Sequence, residues 1–424
     1  MMISSGTLQE NAAPASGFER DASRTARSNG RIMPVVLSDF ERIEVTAPRD
    51  QNELKAIQVH FMTIAQAAKY GVKSPAERDA LNAKVAERMA RFGCSSDHIS
   101  QRQVSVLTSD FVTHEGEEHE GRHGGLRTPT GELLDARMDL FEETACEAFD
   151  RFYADTPASP DEIVHVSCSG YVSPSPLQIF LSKRGWLQTG VTHSYHMGCY
   201  GAFPAVRTAL GLVGSSYASL PHPKRRVDIV HTEFLSLHFD LLGETPDSFV
   251  TSTLFADGFI KYSAFPQTEF AKRGKSGLKI LSVEERILPS SLPEMTLRPG
   301  PLQFDMSLSK RVPLLIRDSV EEFVTSLCAQ AGLDFEAEKE RAVFAIHPGG
   351  PAILNHVRNR LHVTEPQVAI SRQVLFEHGN MASATAPHIW QRIVDSPDIA
   401  PGTKVISMAF GPGLTVIGAL FEKV

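Results

Sequence analysis

The sequence lacks any long apolar run: across its 424 residues nothing approaches the roughly 18 to 20 uninterrupted apolar residues that a membrane span requires. It is poor in cysteine. The five present, at positions 94, 146, 168, 199 and 328, are odd in number, irregularly spaced and without a Cys-x-x-Cys pair, so neither a disulfide framework nor a zinc knuckle is indicated. Reduced thiols in a cytoplasmic protein fit best, one of them a candidate nucleophile and the rest small buried hydrophobes. An excess of positive charge is missing as well. Net charge is −8 and the isoelectric point about 6.1, which argues against nucleic acid as a partner and leaves any anionic ligand to a local basic patch. There is no Gly-x-Ser-x-Gly elbow, which argues against a serine hydrolase, and no short internal repeat. Residues 1–31 have no apolar signal-peptide core, and their Ser, Ala, Gly and Arg content reads as a disordered lead-in.

What is present is the balance of an ordinary globular protein, 42% hydrophobic and 22% charged, long enough for two domains or one large two-part core. Order is expected to begin with a strand at Ile32–Leu37. A helix follows from about Asn52, then a second from Ser74 to Phe92, where Ser-Pro-Ala-Glu supplies an N-cap serine, a first-turn proline and a glutamate at the third position. Arg137 to Tyr153 reads as another amphipathic helix. Compact β-branched runs at Ile163–Cys168, Val227–His231, Ala342–Ile346, Val405–Phe410 and Leu414–Leu420 read as strands. Strands alternating with long helices predict an α/β architecture with buried mixed sheets. The Pro-, Lys-, Ser- and Gly-rich stretch around 265–300 is the expected junction between two halves.

Three segments carry chemistry. Met197-Gly198-Cys199-Tyr200-Gly201 precedes a helix-forming run, so Cys199 is expected at a strand-to-helix turn, where the positive helix end favours thiolate. His347 stands at the end of an apolar strand, followed by Pro348-Gly349-Gly350-Pro351 and a helix start, a position where α/β proteins place functional groups. Asn380 lies in Gly379-Asn380-Met381 before a run of small residues. Taken alone, each has a plain structural reading: a buried thiol, a strand cap and a helix cap.

Together these segments resemble the chalcone/stilbene synthase family, the type III polyketide synthases of the thiolase superfamily. The resemblance extends over about residues 34–424 and includes Leu134-Asp135-Ala136-Arg137, Ser169-Gly170, Leu254-Phe255-Ala256-Asp257-Gly258 and Phe410-Gly411-Pro412-Gly413-Leu414-Thr415. It implies a thiolase-like αβαβα fold of two related halves, at 32–274 with the nucleophile and 275–424 with the histidine and asparagine. It implies a decarboxylating condensation of an acyl thioester with malonyl thioester, with Cys199, His347 and Asn380 as catalytic residues. Phe255, Phe304, Cys168, His238, Gly349, Gly350 and Pro412 are then expected to bind substrate, with no metal, no cofactor and a homodimeric assembly. Acyl-CoA and malonyl-CoA are the implied substrates, with acyl carrier protein as the other carrier. A chain-joining ketosynthase and a non-catalytic acyl-thioester scaffold are the alternatives. Arg102, with Lys84, Arg88 and Arg91, forms a local basic set with two readings, a cation site for coenzyme A phosphates or a solvated helix face. Phe259-Ile260-Lys261-Tyr262 departs from the family's small residues after Asp-Gly, and His378 from its aromatic before Gly-Asn.

Two further patterns point elsewhere and are set aside. His114, His119 and His123 lie in a Gly-rich acidic stretch read as a solvated loop, and Gly274-Lys275-Ser276 lacks the first glycine of a phosphate loop.

Overall fold

The computed structural model describes residues 33–106, 133–215 and 224–424. In chain order the first part contains β1 (Val35–Ile43), β2 (Arg49–Asp50), α1 (Gln51–Tyr70), α2 (Pro75–Phe92), β3 (Gln101–Arg102), α3 (Leu134–Phe152), β4 (Glu162–Ser167), α4 (Pro176–Arg184), β5 (Gly190–Tyr195), α5 (Ala202–Ser215), β6 (Val227–Glu233), α6 (Pro246–Leu254), β7 (Gly258–Pro266) and α7 (Gln267–Phe270). The second contains β8 (Leu278–Ile287), β9 (Met295–Pro299), β10 (Phe304–Leu308), α8 (Val312–Gln330), α9 (Phe335–Glu338), β11 (Val343–Ile346), α10 (Pro351–Leu361), α11 (Glu365–His378), α12 (Thr385–Asp395), β12 (Lys404–Gly411) and β13 (Thr415–Lys423). The histidine-rich stretch around His119 lies outside the described residues.

Local chemistry accounts for the helix ends. The Ser74 hydroxyl accepts from the Glu77 amide while the Glu77 carboxylate accepts from the Ser74 amide, and Pro75 opens the first turn. In α3 the stripe Phe141, Ala145, Phe149 and Phe152 faces the sheet and is buried.

Nine strands pair in the order β11-β12-β13-β8-β1-β7-β6-β4-β5. The pairing senses repeat about its centre. On one side β4 is parallel to β6, β6 antiparallel to β7, and β7 antiparallel to β1. On the other, β11 is parallel to β12, β12 antiparallel to β13, and β13 antiparallel to β8. β1 and β8 join the halves antiparallel. Each half thus runs through the same path.

The packing forms five layers. α5 touches β1, β4, β6, β7 and β13, and α12 touches β1, β7, β11 and β12, so this helix pair packs against strands of both halves. α3 and α4 cover the outer face of the first half, and α8 packs on β8 and β13 of the second. Trp390 of α12 shows how tightly the middle layer is locked. It is fully buried, its ring meets Phe203, Tyr262 and Phe421 at centroid separations of 5.3, 5.9 and 5.3 Å, and its indole N–H donates to the Ser407 hydroxyl.

The stretch around 265–300, expected as the junction between two halves, holds β8, a ten-residue strand paired with β13 along its length. Its Leu-x-Ile-x-Ser-x-Glu alternation puts every second residue inward, a period-2 pattern masked by its lysine and glutamates. Lys261 sits buried within β7 because its ammonium finds the Phe152 carbonyl, the Glu41 carboxylate and the Tyr153 ring face. Among the described residues no helix is long and apolar enough to cross a membrane.

Candidate active site

Cys199 lies in a 3-10 turn, Gly198–Tyr200, between the end of β5 and the start of α5. Gly198 is required twice over: its φ is +68°, and a Cβ there would meet the Pro412 ring at 2.8 Å. The Gly-Pro-Gly segment after β12 therefore supports the thiol turn from below.

Asn380 arrives from the other half. α11 ends at His378, and Gly379 turns the chain at φ +72°, where a Cβ would strike the Arg102 side chain and the Leu254 carbonyl. Asn380 then pairs with the segment after α6: its N–H donates to the Leu254 carbonyl and its own carbonyl accepts from Ala256, both at 2.9 Å. This bridge sets Phe255 beside Asn380. The Asn380 amide oxygen accepts from the Ala382 N–H at 2.9 Å and from the Thr385 hydroxyl at 3.5 Å. The Cys199 sulfur stands 3.9 Å from both the amide oxygen and the amide nitrogen of Asn380; with the oxygen already accepting from Ala382 and Thr385, the N–H₂ is the group left to meet the sulfur.

His347 closes β11, its backbone N–H bonding the Met408 carbonyl at 2.8 Å. The imidazole is buried, and neither ring nitrogen has a hydrogen-bond partner among the described residues. A native interior rarely leaves both nitrogens of a buried histidine unpaired.

Cys199, Cys168, Leu235, Phe255 and Ala382 form one apolar cluster. With His238, Phe304, Leu297, Met306 and others they line a cavity of about 230 Å³. Cys168, Phe255, Phe304 and His238, the residues that the resemblance assigns to substrate, thus line one cavity with Cys199. Gly349 and Gly350 line a different apolar groove of about 290 Å³ with Phe92, Leu254 and Ile353, and Pro412 packs on Gly198.

The electrostatics differ from expectation. Burial pushes the Cys199 thiol up to about 12; the Asn380 hydrogen bond works against this, and the Glu233 carboxyl adds to it. Burial lowers His347 to about 3. Burial thus favours a neutral thiol and a neutral imidazole, against the helix end expected to favour thiolate. Arg102 is corrected too. It is fully buried, donating to the Gln51 side chain at 2.7 Å and to the Ser252 and Phe255 carbonyls at 3.0 and 2.5 Å. It braces the Phe255 segment from behind and cannot meet a nucleotide phosphate at the surface. Arg88 and Arg91 pack over the rings of Phe249 and Phe92. Lys275, of the rejected phosphate loop, pairs with Asp39.

One residue of the site is not visible in the sequence. Glu233, the last residue of β6, is buried and accepts from the Cys168 N–H at 3.0 Å, the Cys168 thiol at 3.4 Å and the Ser169 hydroxyl at 3.2 Å. Its other oxygen accepts from the Ser383 hydroxyl. Burial raises it to about 7, the hydrogen bonds from Ser383 and Cys168 opposing that rise. The available signal was the unbroken strand Val227–Glu233, which carries the carboxylate inward instead of ending at His231.

Residues 279–424 match the family of chalcone and stilbene synthases, C-terminal domain. Type III polyketide synthase C of Arabidopsis thaliana is 27% identical over 268 residues, 62% of this chain and 67% of that protein. 1,3,6,8-Tetrahydroxynaphthalene synthase of Streptomyces coelicolor is 25% identical over 60% of this chain and 64% of its own length. Probable polyketide synthase 1 of Dictyostelium discoideum is 29% identical over 54% of this chain, and the match spans only 7% of that protein. Among solved structures, PKS-I from the brown alga Ectocarpus siliculosus superposes with a TM-score of 0.75 at 20% identity, covering 94% of this chain and all of that one. The fold is therefore the thiolase-like fold of the type III polyketide synthases, the chain is similar to them in sequence, and residues 279–424 match the chalcone and stilbene synthase C-terminal domain.

Proposed function

We propose that the chain is a type III polyketide synthase-like acyltransferase that extends an acyl thioester by decarboxylating Claisen condensation with malonyl thioester. The observation that supports this best is the meeting of Cys199 and Asn380, 181 residues apart, in a cavity walled by Phe255, together with a buried His347 whose nitrogens are both free.

The residues divide the work as follows. Cys199 sulfur attacks the starter carbonyl, its proton passing through His347 to the departing thiolate, and an acyl-cysteine forms. The extender then loses its carboxylate as carbon dioxide, and the electron pair of that bond becomes an enolate. Asn380 N–H₂ and His347 donate to the thioester oxygen where this charge appears. Phe255 offers the leaving carboxylate an apolar face. The enolate carbon attacks the acyl-cysteine carbonyl, a carbon–carbon bond forms, and Cys199 leaves. Cys168, Phe304 and His238 bound the growing chain, which is released as a pyrone, resorcinol or related ring. No cofactor is needed, because the thioester and the carboxylate supply the driving force.

The two catalytic halves divide at about residues 274/275, between the end of β7 at Pro266 and the start of β8 at Leu278. Two chains assemble as a homodimer: β5 is a sheet edge, and Tyr171, two-thirds exposed, packs on Tyr195 and His196 beside it. Light scattering of the purified chain checks this, and a monomer at micromolar concentration overturns it.

The function is tested by mass spectrometry of products from acyl-CoA starters with malonyl-CoA, and in parallel from the same chains on acyl carrier protein. Product from CoA thioesters, lost in Cys199→Ala, is expected. Product from carrier-bound chains alone makes the chain-joining reading correct. A folded protein that binds acyl thioesters without acylating Cys199 is the non-catalytic scaffold.

A further inference from the structure

His238 lines the cavity, yet its ring is fully committed elsewhere. One nitrogen, Nε2, stands 2.7 Å from the Ser169 carbonyl, and the other, Nδ1, stands 3.1 Å from the Phe304 N–H. A carbonyl can only accept and an amide N–H can only donate, so the neutral Nε2–H tautomer alone satisfies both. The imidazole also lies flat on the Phe304 ring, with centroids 4.4 Å apart and planes 10° apart.

The two anchors belong to different elements. Ser169 follows β4, on the wall that carries Cys168. Phe304 begins β10, which among the described residues pairs only with β9, in a hairpin separate from the nine-stranded sheet. That hairpin presents Leu297, Gln303, Phe304, Asp305 and Met306 to the cavity. Its turn is also tied at Pro301, whose carbonyl accepts from the Leu134 N–H.

We propose that His238 is a positioning residue, a staple that pins the β9–β10 hairpin to the β4 wall and so fixes the depth of the cavity in front of Cys199. It selects acyl chains by size through Phe304 rather than by contacting the reacting atoms. This rests on reading the cavity as the acyl site, and part of the test is independent of that reading.

Three variants separate the interactions. His238→Ala removes both hydrogen bonds and the ring. His238→Phe keeps a ring and removes both bonds. His238→Gln keeps a donor and an acceptor on one planar group and removes the ring. Access to Cys199 is measured as the ratio of its alkylation rates by N-phenylmaleimide and iodoacetamide, quantified by peptide mass spectrometry. Losing two hydrogen bonds should raise the bulky-to-small ratio about tenfold in the Ala and Phe variants, with Gln within about twofold of the parent. In turnover, Ala and Phe should lower KM for the longer acyl thioesters and lengthen the products, while Gln keeps the parent's product length.

An unchanged ratio in both Ala and Phe overturns the staple, as does a Gln variant as open as Ala. If Ala fails to fold, the Phe and Gln variants decide the matter alone. Labelling that follows the expected order in a chain that makes no polyketide keeps the staple and removes the proposed function. Turnover with a labelling ratio that no variant moves does the reverse.

Discussion

Replacing Asn380 tests the site most sharply, because its amide does two separable things. Its oxygen holds the Ala382 N–H at 2.9 Å, a local turn, and its N–H₂ faces Cys199. Asn380→Ala removes both. A buried N–H left without an acceptor costs about 1–3 kcal/mol, so the variant should lose that much stability to urea. If the N–H₂ also stabilises the enolate, malonyl decarboxylation should slow about 10²–10³-fold, equivalent to roughly 2.7–4 kcal/mol. Asn380→Ser separates the effects. A serine hydroxyl can accept from the amide two residues on, restoring the turn, but is too short to keep a donor at the sulfur. Stability should therefore return toward the parent while decarboxylation stays down. The assays are release of acetyl-CoA from malonyl-CoA, single-turnover acylation of Cys199 by intact-mass spectrometry, and urea unfolding. Decarboxylation by the serine variant within about threefold of the parent would show that Asn380 acts through structure alone, and the oxyanion role given to its N–H₂ would be wrong.

Cys199 alkylation in the free protein should rise about tenfold per pH unit from pH 7 through 9, since burial keeps the thiol protonated up to about 12; a plateau below pH 7 would reveal a preformed thiolate–imidazolium pair. Glu233, raised from 4.5 to about 7, stabilises the fold fully below pH 4.5, and that contribution fades as pH rises to 7. Relative to Glu233→Gln, the parent should thus lose about 3 kcal/mol across that window at about 1.36 kcal/mol per pH unit, read by urea titrations at each pH; parallel curves would place the carboxyl in a more polar setting. Arg102→Ala should destabilise the fold by about 3 kcal/mol or more by stranding its buried acceptors, and a variant of parental stability with only a raised KM for acyl-CoA would return Arg102 to the substrate entrance.

The parts of the fold legible in the sequence were those in which local and tertiary preferences agree. The Ser74 cap, the stripe of α3 and the strands β4, β6, β11, β12 and β13 are of this kind, apolar or capped by short-range chemistry. β5, β7 and β8 were not legible. β7 carries Lys261 in its middle, and β8 carries Lys279, Glu284 and Glu285, whose charges are satisfied by partners far away in sequence, such as Glu41, Glu422, Gln330 and Arg207. The same reason hid Arg102, whose acceptors come from Gln51, Ser252 and Phe255. A cation in sequence looks solvated until the acceptors that bury it are known. The cavity residues Cys168, Phe255, Phe304 and His238 came from the family resemblance, since no periodicity distinguishes a cavity wall from a core.

The misread thiol leads to a point about the chemistry itself. A thiolate resting in the open would suit attack but would invite water and oxidants to the same sulfur. Cys199 and His347 are both buried, and burial favours the neutral thiol and the neutral imidazole, so in the proposed mechanism charge exists only while a substrate oxygen or sulfur is present to carry it. The donor proposed for that charge sits at a backbone-fixed position: the Asn380 amide is oriented by Ala382 and seated by the bridge to Phe255, and that bridge in turn is braced by Arg102. Preorganised dipoles in a dry cavity stabilise a developing oxyanion without reorganising at the moment of reaction. The duplicated fold makes such an arrangement accessible, because the thiol and the donors ride on opposite halves of one continuous sheet. In the proposed mechanism, what the first half loses by keeping its sulfur protonated, the second half supplies as hydrogen bonds at the oxygen where the electrons arrive.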